Sequence, residues 1–428
     1  MSTLDKQFNQ NTAIYVSAEL FSRLITFFAI PVYAYLLDPA QIANYYIYIP
    51  LASIVSILSV ANIYTYVPRY LYSKSVNEKA MISSFVNFII ITSVVCAFVL
   101  YLIASLTSFP LSTLICVLSA ALFVSLNSVF RLYYEAKKEA KKVLILKVIL
   151  NGGAVLFNVS FIYFIDRSPD LVLFFGIIFS SVAAFLYSLF LNKSNFAFQI
   201  DLKLVRQSLD YSMPLIPYAL SFFVIAMMDK LLIAEFFSKH EAGYYSIVFV
   251  LGTALNLPIG AMFTAWLPNL FGQLAKQDYD SIEKESIKIF RIALIACLLY
   301  ACLGRFVLGI FFDDRYSEAL SILPIFVVTS YLYAFYSYNV KVISYYKKTL
   351  ALSFIGIGAA LLSLGVSVFI LMNFDYQYVC YSLLVTYFFL VIATEIVLQK
   401  FNLPLISVTR NLGKVAILLL VSIGAMYF

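Results

Sequence analysis

Charge is scarce in this chain: only 12% of its 428 residues are Asp, Glu, Lys or Arg, against about 25% in a soluble domain. Water is therefore not the solvent of most of its surface. Histidine occurs once and cysteine five times, and neither shows a metal-ligand spacing. Cys96, Cys116, Cys297, Cys302 and Cys380 fall inside or at the edge of apolar segments and read as packing residues. Cys297 and Cys302 point in different directions from one helix, a poor geometry for a disulfide. His240, between Lys239 and Glu241, reads as a solvated turn residue. No G-x-x-x-x-G-K-[ST] loop is present, so ATP hydrolysis by that route is excluded. The longest polar breaks, near 192–210 and 272–287, are about 20 residues, too short to bury a core of their own. Catalysis, a cofactor and a metal site are accordingly not expected. The polar start Met1–Thr12 runs into a long apolar segment with no small-residue cleavage site, so that segment reads as retained.

What is present is hydrocarbon: 63% of the residues are hydrophobic and the mean hydropathy is +0.93. A helix needs about 20 apolar residues to cross roughly 30 Å of lipid. Such runs follow one another here, apolar on every face, without the short alternating segments of a barrel. The expected fold is an all-α integral membrane protein. Spans are expected near 13–37, 41–64, 81–106, 110–135, 143–166 and 170–192, then near 212–237, 243–271, 288–312, 317–340, 349–373 and 377–399. The apolar tail 411–428 reads either as a thirteenth span or as an interfacial helix. This divides the chain into an N-terminal lobe (1–192), a cytoplasmic linker (193–211) and a C-terminal lobe (212–428).

Lys and Arg are retained in cytoplasmic loops. With the N-terminus inside, 22 of the 29 fall in inside loops, whereas only Arg167, Lys239 and Arg315 fall outside. The net charge of +7 thus follows from topology, and no nucleic-acid partner is implied.

Few charges lie within spans, and each costs about 2.5–3.5 kcal/mol at a helix centre on insertion scales. On the first span Glu19 and Arg23 are four apart and share a face. They read either as a self-neutralised pair or as a site where Arg23 binds phosphate bidentately while Glu19 tunes it. On the seventh span Asp229 and Lys230 diverge by about 100° around the helix, so at least one needs another partner. Arg305, on the ninth span, either snorkels to headgroups or lines the exit of a path. Lys147 and Glu395, near the inner interface, read as snorkelling. Prolines such as Pro31, Pro50, Pro214, Pro217, Pro258 and Pro324 permit helix bends. Many of the 33 tyrosines sit at span ends like an interfacial belt, while Tyr33, Tyr331, Tyr333 and Tyr336 are positioned to stack on sugars.

The two halves both begin inside, so an internal repeat must be parallel. AQIANYYIY from Ala40 and KHEAGYYSI from Lys239 match at equivalent points. The stretch LDYSMPLIPYALSFFVIAMMDKLLIAEFFSKHEAGYYSIVFVLG (Leu209–Gly252) resembles the start of the C-terminal lobe of Wzx-type polysaccharide flippases. The P-L-I-P at Pro214, the Asp229–Lys230 pair, A-G-Y-Y before the eighth span, and Trp266 with Pro268 carry that likeness. LLDPAQIANYYIY, EAKKEAKK and FFDDRYSEALSILPIF extend it, over about residues 10 to 400. FDYQYVCYSLL, from Phe374, departs from a small-residue run typical of the family, which leaves close helix packing open there.

The resemblance implies a multidrug-and-toxin-extrusion (MATE)-like fold: two six-helix lobes around a central cavity. It also implies a flippase for polyprenyl-diphosphate-linked oligosaccharide, such as an O-antigen or capsule unit, in the bacterial inner membrane. Partners are then that lipid-linked substrate, membrane lipid, H⁺ or Na⁺ as a coupling ion, and the polysaccharide polymerase with its chain-length machinery. Arg23 and Lys230, one per lobe, are expected to contact the headgroup with help from Arg305, and Glu19 and Asp229 to exchange protons or pair with them. The rivals are a MATE-like antiporter of cations or drugs, and an integral-membrane polymerase. For the latter the chain lacks a large outside loop, and Asp313–Asp314 read as a solvated connector.

Overall fold

The computed structural model describes residues 24–71, 77–106, 109–164, 171–213, 216–312, 316, 320–346, 348–401, 418 and 424. Among them the regular structure is helical throughout, with no strand. The first half supplies α1 (Leu24–Leu36), α2 (Pro39–Val60), α3 (Glu78–Ser105), α4 (Leu111–Ala136), α5 (Ala140–Phe164) and α6 (Val172–Leu191). A short amphipathic helix follows, α7 (Leu202–Ser212). The second half supplies α8 (Ile216–Phe236), α9 (Lys239–Gly252), α10 (Asn256–Lys276) and α11 (Tyr279–Phe311). It closes with α12 (Leu323–Tyr345), α13 (Thr349–Asn373) and α14 (Cys380–Lys400). Each of the twelve expected spans coincides with one of these helices over its described residues, α9 and α10 together forming the eighth. Among the described residues, ten helices are long and apolar enough to cross a membrane. Except for Leu418 and Gly424, the tail 411–428 lies outside the described residues.

Polar side chains start several of these helices by satisfying amides that have no partner inside the helix. Asn77 accepts from the Ala80 amide, Asp201 from Lys203 and Leu204, and Ser238 from His240. Asp278 accepts from the Ser281 amide ahead of α11. Hydrogen bonds from the Ser281 hydroxyl and amide hold the Asp278 carboxyl below its ordinary range. The eighth span is interrupted at 253–255. Pro258 has no N–H to give the Ala254 carbonyl, and Leu257 donates to it instead in a tighter turn. α11 begins nine residues ahead of the expected span, because its first turns are amphipathic and continue the helix beyond the apolar run.

The described residues form two compact units, one of residues 24–30 and 44–216, the other of 31–43 and 217 onward. In the first, Phe85, Val129, Phe130 and Tyr134 centre the core. Its helices are also joined by polar bonds, which hold well in lipid because nothing there competes for them. Ser56 pairs with Ser125 at 2.6 Å, and Asn127 donates to the Ser181 carbonyl at 2.9 Å. The stretch 193–211 lies on this unit. Asn87 donates to the Ala197 and Gln199 carbonyls, Ser83 accepts from the Ala197 amide and Ser84 from that of Asp201, while Leu204 and Val205 are buried. At the start of α3, Glu78 accepts from Tyr133 and Lys137, and that carboxylate raises the pKa of Lys137.

The second unit is organised around α12, whose residues are almost all buried. Its 23 residues reach about 34 Å at 1.5 Å each. Thr329 and Ser330 turn their hydroxyls onto the Phe326 carbonyl, and that of Ser330 also reaches the Gly252 carbonyl of α9 at 3.5 Å. The FDYQYVCYSLL segment packs closely after all. Ser382 donates to the Ser363 carbonyl and pairs with Ser367 at 2.8 Å, so serines replace the small-residue run between α13 and α14. Glu395 is 4% exposed and so does not snorkel. It lies away from the exposed stripe Val385, Phe389, Ile392 and Ile396 of the same helix.

Candidate functional site

A charged side chain in an apolar helix is stable only where partners replace its lost hydration. Lys230 is 0% exposed and Asp229 6%. Although successive residues diverge around a helix, the flexible lysine stem folds back, and Lys230 Nζ lies 3.4 Å from Asp229 Oδ1. The same oxygen accepts the Lys230 backbone amide at 2.9 Å. Asp229 Oδ2 accepts from the Tyr245 hydroxyl on α9 at 2.7 Å. Lys230 Nζ also donates to the Ala226 carbonyl at 2.6 Å and stands 3.3 Å above the Phe249 ring, a desolvated cation–π contact. Both charges are thus fully engaged, and the pair ties α8 to α9.

The Y-Y motif that contributes Tyr245 is held by a close backbone contact. A methyl group on Gly243 would overlap the Pro39 carbonyl oxygen, so only glycine fits. The two turns matched as an internal repeat therefore meet inside the second unit. There Asp38 and His240 approach at 3.5 Å, with both side chains more than half exposed. Tyr244 packs edge-on against Tyr316.

Glu19 and Arg23 lie outside the described residues, as does the side chain of Arg305, whose backbone belongs to α11. Of the five singled-out residues, the structure brings together Asp229 and Lys230. That Tyr245 and Phe249 are their partners carried no signal, because a contact between separate helices leaves no spacing in one sequence. Of the tyrosines considered for stacking, Tyr331 is fully buried and Tyr33 is half-buried in α1. Tyr333 and Tyr336 join a chain of rings from three helices. Tyr218 lies 5.0 Å from Phe222, Phe222 6.0 Å from Tyr336, Tyr336 6.5 Å from Tyr387, and Tyr387 6.2 Å from Tyr333. The hydroxyls of Tyr218 and Tyr336 are hydrogen-bonded to each other.

Residues 8–274 match the model of a family described as polysaccharide biosynthesis protein. No curated protein matches the sequence. Among solved structures, an inward-facing multidrug resistance MATE family transporter of the MOP superfamily is similar at 11% identity and a TM-score of 0.69, over 90% of this chain and 95% of that one. The MATE multidrug transporter DinF-BH, solved in complex with a bound compound, gives 13% identity and a TM-score of 0.66, over 93% and 96%. A MOP superfamily transporter from Pyrococcus furiosus, reported with a binding pocket of reverse polarity, gives 13% identity and 0.60, over 90% and 93%. The fold is that of the MATE transporters.

Proposed function

Because the chain belongs to the polysaccharide biosynthesis protein family of the MOP superfamily, we propose that it is a flippase that carries polyprenyl-diphosphate-linked oligosaccharide from the cytoplasmic to the outer leaflet of the bacterial inner membrane. The observation that carries this reading is the coincidence of that family with a multi-pass MATE fold. A transporter fold in polysaccharide biosynthesis fits moving a glycan intermediate better than making one. The two lobes, 1–192 and 212–428, alternate access from the two sides, with the N-terminus and the linker 193–211 in the cytoplasm. The diphosphate and sugars cross through protein while the polyprenyl tail stays in lipid.

Arg23 and Lys230 contact the diphosphate and Arg305 assists. Glu19 and Asp229 release or recapture them as protons bind, which shifts the population of states without chemistry at the substrate. In the present arrangement Lys230 is occupied by Asp229 and the Ala226 carbonyl, so a substrate anion competes with that carboxylate for it. H⁺ or Na⁺ serves as the coupling ion, and the outer-leaflet product passes to a polysaccharide polymerase. In cells, depleting the protein raises the pool of polyprenyl-diphosphate oligosaccharide on the cytoplasmic side, and Arg23→Ala fails to relieve it. An unchanged lipid-linked pool on depletion contradicts the assignment.

The fold shared with multidrug MATE transporters supports a second reading, antiport of a lipophilic cation. Such a pump favours acidic groups around its substrate, whereas the buried charges here include a lysine. Uptake of a cationic dye driven by an ion gradient, with no glycan-lipid transport, decides for it.

A further inference from the structure

Lys230 is enclosed, and this turns attention to the cations of the second unit that are not. Along α12 a single stripe escapes full burial. It runs from Tyr333 to Val340, Lys341 and Ser344, which fall within about 100° of one another around the helix, while Tyr336 and Ser337 beside it are buried. Lys341 is half-buried and has no hydrogen-bonding or ion-pair partner among the described residues. Around the helix Lys341 lies about 40° from Ser337 and about 80° from Tyr333, whose α-carbons are about 6 and 12 Å away along the axis toward the N-terminus, the direction in which helical side chains lean.

The rings extend the same face onto a neighbouring helix. Tyr387 stands near both Tyr333 and Tyr336. It is half-buried yet lies opposite the exposed stripe Val385, Phe389, Ile392 and Ile396 of α14, about 140–180° around the helix. A half-covered phenol away from the purely apolar face belongs to a surface that meets something more polar than lipid tails. The Tyr333 hydroxyl lies 3.3 Å from where a methyl on Gly260 would be, so the backbone of α10 bounds the ring on one side.

Resting on the flippase reading above, we propose that Lys341 and the half-buried rings of Tyr333 and Tyr387 form a headgroup subsite in which the ammonium holds a phosphate and the rings stack on the first sugar bonded to it. An ammonium without a counter-charge is prepared for a phosphate oxygen. Phenol rings offer both an apolar face to a pyranose and hydroxyls to its oxygens. The positive-inside bias puts this end of α12 in the cytoplasm, where the substrate is loaded.

The test uses the full-length protein in lipid nanodiscs, titrated with undecaprenyl diphosphate and with undecaprenyl diphosphate bearing one N-acetylglucosamine. Lys341→Gln is expected to weaken both probes about tenfold, and Lys341→Arg to keep most of the affinity. Tyr333→Leu is expected to weaken only the sugar-bearing probe, and Tyr333→Phe, which keeps the ring and loses the hydroxyl, to weaken it less. Lys239→Gln, which removes an exposed cation at the start of α9, serves as the control. Unchanged binding of both probes by Lys341→Gln overturns the phosphate assignment and leaves the flippase reading intact. Equal effects of Tyr333→Leu on the two probes, or none, overturn the sugar assignment. A wild type that binds neither probe overturns the flippase reading and this subsite with it.

Discussion

Asp229 and Lys230 show how a buried charge pair fixes structure as well as carrying polarity. Removing one member of such a pair leaves the other uncompensated, at a cost of about 3–5 kcal/mol, whereas removing both costs less than the sum. Asp229→Ala and Lys230→Met should each lower the melting temperature in detergent strongly, and the double variant should be no worse than the poorer single one. Additive losses would show that the two act independently. Gly243 makes a separate claim. A methyl there overlaps the Pro39 carbonyl, so Gly243→Ala should cost about 1–3 kcal/mol, read as a lowered melting temperature. A stability equal to wild type would mean that the turns relax apart cheaply. At this scale the sequence was partly legible. Two charges inside an apolar run announce a demand for partners, but that the partners are Tyr245 and Phe249 depends on how α9 lies against α8.

Helix positions were the most legible feature, since a membrane span needs only a long apolar run and no phase to its pattern. Ends and interruptions were less so. α11 starts at Tyr279 because an amphipathic turn continues a helix as readily as an apolar one does, while hydropathy marks only the part in lipid. The break at 253–255 depends on Pro258, one of several prolines near spans, and nothing in the sequence distinguishes it from Pro50, which α2 accommodates inside an unbroken helix. The stretch 193–211 reads as a polar link, yet Asn87 and two serines of α3 anchor its backbone to the first unit. Asn87→Ala removes two hydrogen bonds worth about 0.5–1.5 kcal/mol each. Proteolysis within 193–201 should accelerate several-fold in vesicles that expose this face, while α3 itself stays protected. An unchanged cleavage rate would mean that the serines alone hold the stretch.

For the whole molecule, apolar runs and the Lys/Arg bias gave twelve spans in two parallel halves, the resemblance of Leu209–Gly252 to Wzx-type flippases pointed to a two-lobed transporter, and the MATE fold and family membership agree with that class. The reason is physical: chain length, span number and loop charge are properties of the entire sequence and survive the loss of local detail. The cargo is a different matter, because it is selected by a few side chains, and Glu19, Arg23 and the Arg305 side chain lie outside the described residues. The central claim is therefore best tested by transport. The purified protein is reconstituted into sealed liposomes carrying a fluorescent polyprenyl-diphosphate oligosaccharide in both leaflets, and an impermeant quencher is added outside. A flippase lets the quencher reach label from the inner leaflet within minutes, beyond the half quenched in protein-free vesicles. Quenching that stops at that half with folded protein, under every imposed H⁺ or Na⁺ gradient, would contradict the account.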